Sequence, residues 1–263
     1  MTMTTIDFQI QSGVATLTLN RPDKLNSFNA VMHTEVREAL QTLTRSDSAR
    51  VLLLTGAGRG FCAGQDLADR AVAPGGAAVD LGESIEKNYR PLILALRHLP
   101  MPVIAAVNGV AAGAGANIAL ACDMVIAAKS ANFLQSFSKL GLVPDCGGTW
   151  LLPRLVGNAR ALGLTLLGEK LSATQAQEWG LIWRCVDDDQ LMRVANGLAR
   201  QFAAGPTRGF ARTKQAIYAS WGSDLAGQLD LERDFQRELG GSADYKEGVA
   251  AFLEKRAANF TGR

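Results

Sequence analysis

The stretch GLVPDCGGTW, residues 141–150, sets one carboxylate, Asp145, between Pro144 and Cys146 in otherwise apolar surroundings. A desolvated carboxylate is costly unless it is paired or neutralised. Locally, Asp145 reads first as a helix N-cap or as a partner for Arg154, and second as an acid–base group. Other chemistry has few carriers. His33 and His98 are the 2 histidines of the chain, too few for a three-histidine metal site, and a Ser-His-Asp triad would need one of them. His33 reads as part of an exposed helix and His98 as a helix-end residue ahead of LPMP. Cys62, Cys122, Cys146 and Cys185 form no CxxC pair, which fits free thiols in a reducing, cytoplasmic compartment, with Cys146 a packing thiol. Carboxylates and backbone amides remain.

Two glycine-rich loops could supply those amides. GAGRGFCAGQDL follows the strand-like RVLLLTG, and VAAGAGANIALACD follows PVIAAVNG. One such loop signals a tight turn or close helix packing. Two in succession carry more. The small runs CAGQ and AAGAG let the main chain approach a ligand and aim N–H groups outward at a helix start, where together they could hold one oxygen atom.

The elements that must position these groups follow from periodicity. VATLTLN alternates as a strand, RPDKLNSFN turns, and AVMHTEVREALQTLTR has the spacing of an amphipathic helix. RVLLLTG and PVIAAVNG read as continuously buried strands, and MVIAAKSANFLQ as a third strand-like stretch leading to the Asp145 motif. Strands that alternate with helices through glycine loops indicate an α/β core with parallel crossovers. AVAPGGAAVDLGES is small and poor in large apolar residues, as expected of an insertion near a ligand site. After about Arg184 helical signals take over, and SADYKEGVAAFLEKRAANF opens with an Asp244–Glu247 spacing of capping-box type. The expected division is an α/β core over residues 1–184 and a helical region over 185–263.

The charge balance, 27 basic against 25 acidic residues, gives no field for nucleic acid or membrane surfaces. MTMTTIDFQI lacks the basic and apolar regions of a signal peptide. The apolar run from Val103 to Ala128 is broken by Asn108, Gly113, Gly115 and Asp123, and reads as strand, loop and helix within a soluble core.

RGFCAGQDL, NGVAAGAGANIALACDM and KLGLVPDCGGTWLLPRLVG, in this order and at these separations, resemble the crotonase, or enoyl-CoA hydratase/isomerase, superfamily from about residue 6 to the C-terminus. The resemblance implies an α/β fold of repeated ββα units with a helical C-terminal region. It also implies an oxyanion hole for an acyl-CoA thioester, formed by the backbone N–H groups of Gln65 and Ala114. Removing a proton beside a thioester pushes charge onto its carbonyl oxygen, and each preorganised donor there is worth about 3 kcal/mol. Hydratases of the family use two glutamates to activate water; the matching positions here are Asn117 and Phe137, which cannot act as general bases. Asp145 stands where proton-shuttling relatives such as dienoyl-CoA isomerases carry an aspartate, with Phe137, Cys146 and Trp150 as expected neighbours whose burial would raise its pKa.

The motifs, with DLERDFQRELGGSADYKEGVAAFLEKRAANFTG, resemble in particular the branch that converts ring-1,2-epoxyphenylacetyl-CoA to an oxepin-CoA in aerobic phenylacetate degradation. By the same resemblance Lys24, Ala63, Gln65, Asp66 and Leu67 lie along CoA, and Phe252 and Lys255 reach the nucleotide of a neighbouring subunit in a trimer or a hexamer of paired trimers. No cofactor besides substrate CoA, and no metal, is implied. Two alternatives stay open: Asp145 as a nucleophile, as in aryl-CoA dehalogenases or hydrolases, and a scaffold that binds CoA esters without turning them over.

Overall fold

The computed structural model describes residues 3–70 and 80–263. A hairpin of β1 (Ile6–Gln11) and β2 (Val14–Leu19) precedes helix α1 (Ala30–Arg45). Strands β3 (Val51–Gly56) and β4 (Gly60–Cys62) follow, then α2 (Leu81–Ser84), a π-helical turn Ile85–Tyr89 and α3 (Arg90–His98). Next come β5 (Val103–Val107), β6 (Val110–Ala112) and α4 (Ala114–Ala121), and then β7 (Met124–Ala128), β8 (Asn132–Leu134) and α5 (Gly148–Leu167). The chain closes with β9 (Lys170–Ser172), α6 (Ala173–Glu178), β10 (Arg184–Val186), α7 (Leu191–Ala203), α8 (Thr207–Ala219), α9 (Leu225–Gly240) and α10 (Ala243–Glu254).

The main sheet runs β1-β2-β3-β5-β7-β10 and is parallel from β2 onward. The short strands β4, β6 and β8 pair in parallel in a second sheet, which β9 completes antiparallel. Each repeat thus gives one strand to each sheet before its helix, and the stretch MVIAAKSANFLQ divides into two strands, one per sheet. β3 and β5 are buried along almost their whole length, which explains why their residues run apolar without alternation.

α1 begins at Asn29, whose side chain accepts from the Met32 N–H at 2.9 Å, and buries Met32, Val36, Leu40 and Leu43 at helical spacing. His33 lies on that buried face and not at the surface: its ring packs 4.5 Å from Tyr89, edge to face, and 4.8 Å from Phe28. Of the expected ligand-side insertion, residues 71–79 lie outside the described residues, and Asp80 caps α2.

The division expected after residue 184 falls within β10. Beyond it, α7 buries Leu191, Ala195, Ala199 and Ala203 in one stripe and lies against β2, β3, β5 and β7, so contact with the sheet continues to Ala203. α8, α9 and α10 pack on one another. The cap of α10 is Ser242, whose Oγ accepts from the Tyr245 N–H at 3.0 Å; Asp244 instead accepts from the N–H groups of Thr261 and Gly262, tying down the carboxyl-terminal segment. No helix among the described residues is long and apolar enough to cross a membrane.

One buried ion pair fastens the helical region to the core. Lys214 of α8 reaches Asp123 at 2.8 Å and the Met101 carbonyl at 3.1 Å; Asp123 also accepts from the Tyr218 hydroxyl and, at 2.7 Å, from the Val103 N–H. Burial pushes the Lys214 ammonium below its ordinary pKa, and Asp123 opposes that shift. Removing one member of such a pair leaves the other desolvated, at a cost of about 3–5 kcal/mol. Lys214→Met should lower the free energy of unfolding by about 3 kcal/mol, read as a shift of the urea midpoint; an unchanged midpoint would show that Tyr218 and the Val103 N–H suffice for Asp123.

Candidate active site

The loop after β4 is held from behind by the turn at residues 21–28. Ala63 N–H donates to Leu25 O at 2.9 Å, Phe28 N–H to Gly64 O at 2.7 Å, and Asp66 N–H to Phe28 O at 2.9 Å. In this parallel bridge the residues flanking Gln65 bond to Phe28, so the N–H of Gln65 itself points to the opposite side. Its side chain is fixed as well, Oε1 accepting from the Tyr89 hydroxyl at 2.8 Å. Gly64 (φ +93°) lies against the start of α4: a methyl group built on it would come 2.9 Å from Ala112 O and 3.4 Å from Ala114 N.

Ala114 opens α4, where its N–H has no acceptor within the helix. The preceding Gly113 has φ 52° and ψ −123°, a conformation that side chains disfavour, and its own N–H is spent on Leu134 O at 2.8 Å. Gly115 lets the helix sit on β4, since a Cβ there would be 2.2 Å from Cys62 O. The loop after β4 and the start of α4 thus lie side by side, with the Gln65 N–H turned away from Phe28 and the Ala114 N–H outside the helical ladder. Cys62, the last residue of β4, is buried, which pushes its thiol up to about 12 and disfavours the thiolate that a nucleophile needs.

Asp145 ends an extended segment after the turn at 136–141. Cys146 (φ 51°) and Gly147 (φ 78°) are both left-handed before α5 begins. The N-cap of α5 is Gly147, so Asp145 is not the cap of that helix, and Arg154 stacks 4.4 Å over Trp150. Its carbonyl accepts from Gly148 N–H at 2.9 Å and from Asn117 Nδ2 at 2.8 Å. Asn117 is fully buried on α4, and its Oδ1 accepts from Gln135 Nε2 at 2.8 Å. Phe137, also buried, would lie 3.6 Å from a Cβ on Gly113. Trp150, expected beside Asp145, packs on Trp221 at 4.5 Å and is 41% exposed.

The residues expected along CoA separate into two places. Lys24 is exposed on the turn before α1, which Asn26 anchors through its bonds to Arg21 N, Ala57 O and Gly60 O. Half-buried Ala63 and exposed Leu67 flank the Gln65 loop. Asp66 is engaged inside the protein: Arg21 binds its carboxylate at 2.9 Å and holds its pKa below the ordinary value, and the Ala68 N–H donates to it at 3.2 Å. It staples the loop, and Arg21 balances its charge. Phe252, 83% exposed, and Lys255, the left-handed cap of α10, lie instead in the carboxyl-terminal helical region. Arg21, Tyr89 and Gln135 were not expected from sequence. Each is a polar side chain whose partner lies far along the chain, 45 residues away for Arg21, 24 for Tyr89 and 18 for Gln135, and none carries a local signal.

The enoyl-CoA hydratase/isomerase family model matches residues 9–263, and the chain belongs to that family. The 1,2-epoxyphenylacetyl-CoA isomerase of Escherichia coli (strain K12) is 61% identical over 254 residues, 97% of each chain. The trans-2-decenoyl-[acyl-carrier-protein] isomerase of Streptococcus mutans is 35% identical over 97% of each. Among solved structures, an enoyl-CoA hydratase from Bacillus anthracis superposes with a TM-score of 0.93 at 33% identity, covering 99% of this chain and 100% of that one. The fold is crotonase-like, with repeated β-α units and a helical C-terminal region.

Two substitutions test the paired donors. Ala114→Pro deletes one N–H and should lower kcat by about 100- to 1,000-fold, whereas Ala114→Gly keeps it and should cost less than about tenfold. Gly64→Ala should approach the proline variant, because its methyl crowds both loops. Equal activity of all three in well-folded protein, judged by circular dichroism, would remove these amides from the chemistry.

Proposed function

We infer that the chain is an acyl-CoA isomerase in which the N–H groups of Gln65 and Ala114 hold the thioester oxygen and Asp145 moves a proton between carbons. One observation carries the reading: α4 provides the Ala114 donor and, one turn later, tethers the Asp145 turn through Asn117. Abstraction of a proton beside the thioester places charge on the oxygen facing the two amides, each worth about 3 kcal/mol. Return of the same proton at another carbon completes an isomerisation and regenerates the carboxylate. The two positions that carry the hydratase glutamates supply no acid or base for water addition, since Asn117 does not titrate and Phe137 carries no acidic proton.

The high identity to the E. coli isomerase supports 1,2-epoxyphenylacetyl-CoA as substrate and an oxepin-CoA as product, with double-bond transposition of related enoyl-CoA esters as a second activity. A trimer, or a hexamer of paired trimers, is supported by the exposed Tyr245, Val249, Phe252 and Leu253 of α10, which line an apolar groove of about 450 Å³. In that assembly Phe252 and Lys255 meet the nucleotide bound to a neighbouring subunit, while Lys24 serves its own. Four free thiols support a cytoplasmic location.

Asp145→Asn keeps the shape of the side chain and cannot carry a proton, so binding should persist while turnover falls by at least about 100-fold. Near wild-type turnover would refute the shuttle, and a covalent adduct on Asp145 in mass spectra would assign it as a nucleophile. Lys24→Ala and Lys255→Ala should each raise KM for the full CoA ester several-fold, about 1 kcal/mol, with kcat little changed and the defect shrinking as salt is added. The same defect on a pantetheine ester, which lacks the nucleotide phosphates, would show that these lysines do something other than hold CoA.

A further inference from the structure

We propose that Asn117 is a positioning residue for Asp145, oriented in turn by Gln135, so that the position matched to a hydratase glutamate works here as a hydrogen-bond donor. The inference rests on the reading of Asp145 as the proton carrier. Asn117 has no exposed surface, and both atoms of its amide are used: Nδ2 donates to Asp145 O at 2.8 Å, and Oδ1 accepts from Gln135 Nε2 at 2.8 Å. Chemistry fixes the direction of this chain of bonds. A peptide carbonyl only accepts, so the nitrogen of Asn117 must face Asp145; its oxygen then faces Gln135, which must present its own NH2. An ionised carboxylate at 117 has no hydrogen to offer and would set negative charge against the Asp145 carbonyl.

The surroundings are cut to this contact. A Cβ on Gly148 would stand 2.4 Å from Asn117 Nδ2, so the glycine at the start of α5 leaves the space that the amide fills. Directly after Asp145, Cys146 takes a left-handed conformation that a side chain disfavours. The Gly148 N–H and the Asn117 amide both bind the carbonyl at the mouth of that turn and hold it against relaxation. The backbone sets the Cα–Cβ direction from which the Asp145 carboxylate extends, and Asn117 is three residues beyond Ala114 on α4. The clamp therefore sets where the carboxylate stands relative to the oxyanion donor, and proton transfer is steeply sensitive to such placement.

The test is a double-mutant cycle on 1,2-epoxyphenylacetyl-CoA turnover. Asn117→Ala should lower kcat by at least about 30-fold with KM within about threefold, and in an Asp145→Asn background it should lower what remains by less than about threefold. Loss that multiplies in full in the double variant, or wild-type kcat in Asn117→Ala beside a dead Asp145→Asn, overturns the clamp and leaves the shuttle standing. Wild-type turnover in Asp145→Asn overturns both. Should Asn117→Ala not fold, Asn117→Asp is the near-isosteric substitute. Its buried carboxyl can donate to the Asp145 carbonyl only when protonated, so its kcat relative to wild type should rise at least about fivefold as pH falls from about 8 to about 6. A flat ratio overturns the clamp, because a merely structural defect has no reason to follow that titration.

Discussion

The first turn of α4 is the constraint on which the rest of the site depends. Gly113 brings the chain off β6 with a backbone that side chains disfavour, and this turn leaves the Ala114 N–H outside the helical ladder. Asn117, on the same short helix, binds the Asp145 carbonyl. The proposed donor to the thioester oxygen and the proposed anchor of the proton carrier therefore belong to one short helix. Any tilt of α4 moves both, and its contacts with strands of the two sheets oppose such a tilt.

That rigidity explains a composition that otherwise looks featureless. All eight residues of α4 are buried, and most are alanine or glycine, because the helix is wedged between β4, β5, β6 and β7. Large side chains would hold it away. Gly115 allows contact with the Cys62 carbonyl, and on the far side Gly148 admits the Asn117 amide. Small residues here define distances between backbones, and larger ones such as Phe137 and Tyr89 fill the remaining space from outside.

Much of this was legible in the sequence because it is written locally. The continuous apolar strands β3 and β5, the glycine loops after them and the isolated Asp145 each carry their signal within a few residues. What was not legible depends on partners far along the chain. Nothing beside Asp66 in the sequence points to Arg21, 45 residues earlier, which binds its carboxylate. His33 has the spacing of a helix but its burial is decided by Tyr89, which a π-helical turn brings over it. Asp244 and Glu247 mimic a capping box, yet Ser242 takes the cap and Asp244 turns to Thr261 and Gly262. Asn117 showed only that it could not be a base; its work as a donor appears once Gln135 and the Asp145 carbonyl stand on either side of it.

The order of the main sheet, β1-β2-β3-β5-β7-β10, rises steadily with chain position. The second sheet, β4-β6-β8-β9, does the same. Every strand therefore docks on an edge formed by chain already made, and no strand has to be inserted between two that are already paired. During synthesis, which delivers the N-terminus first, each sheet can grow outward from its oldest strand as the polypeptide leaves the ribosome. The last strand to arrive in the main sheet, β10, is also its shortest, so the edge that it forms offers little length for another chain to pair with.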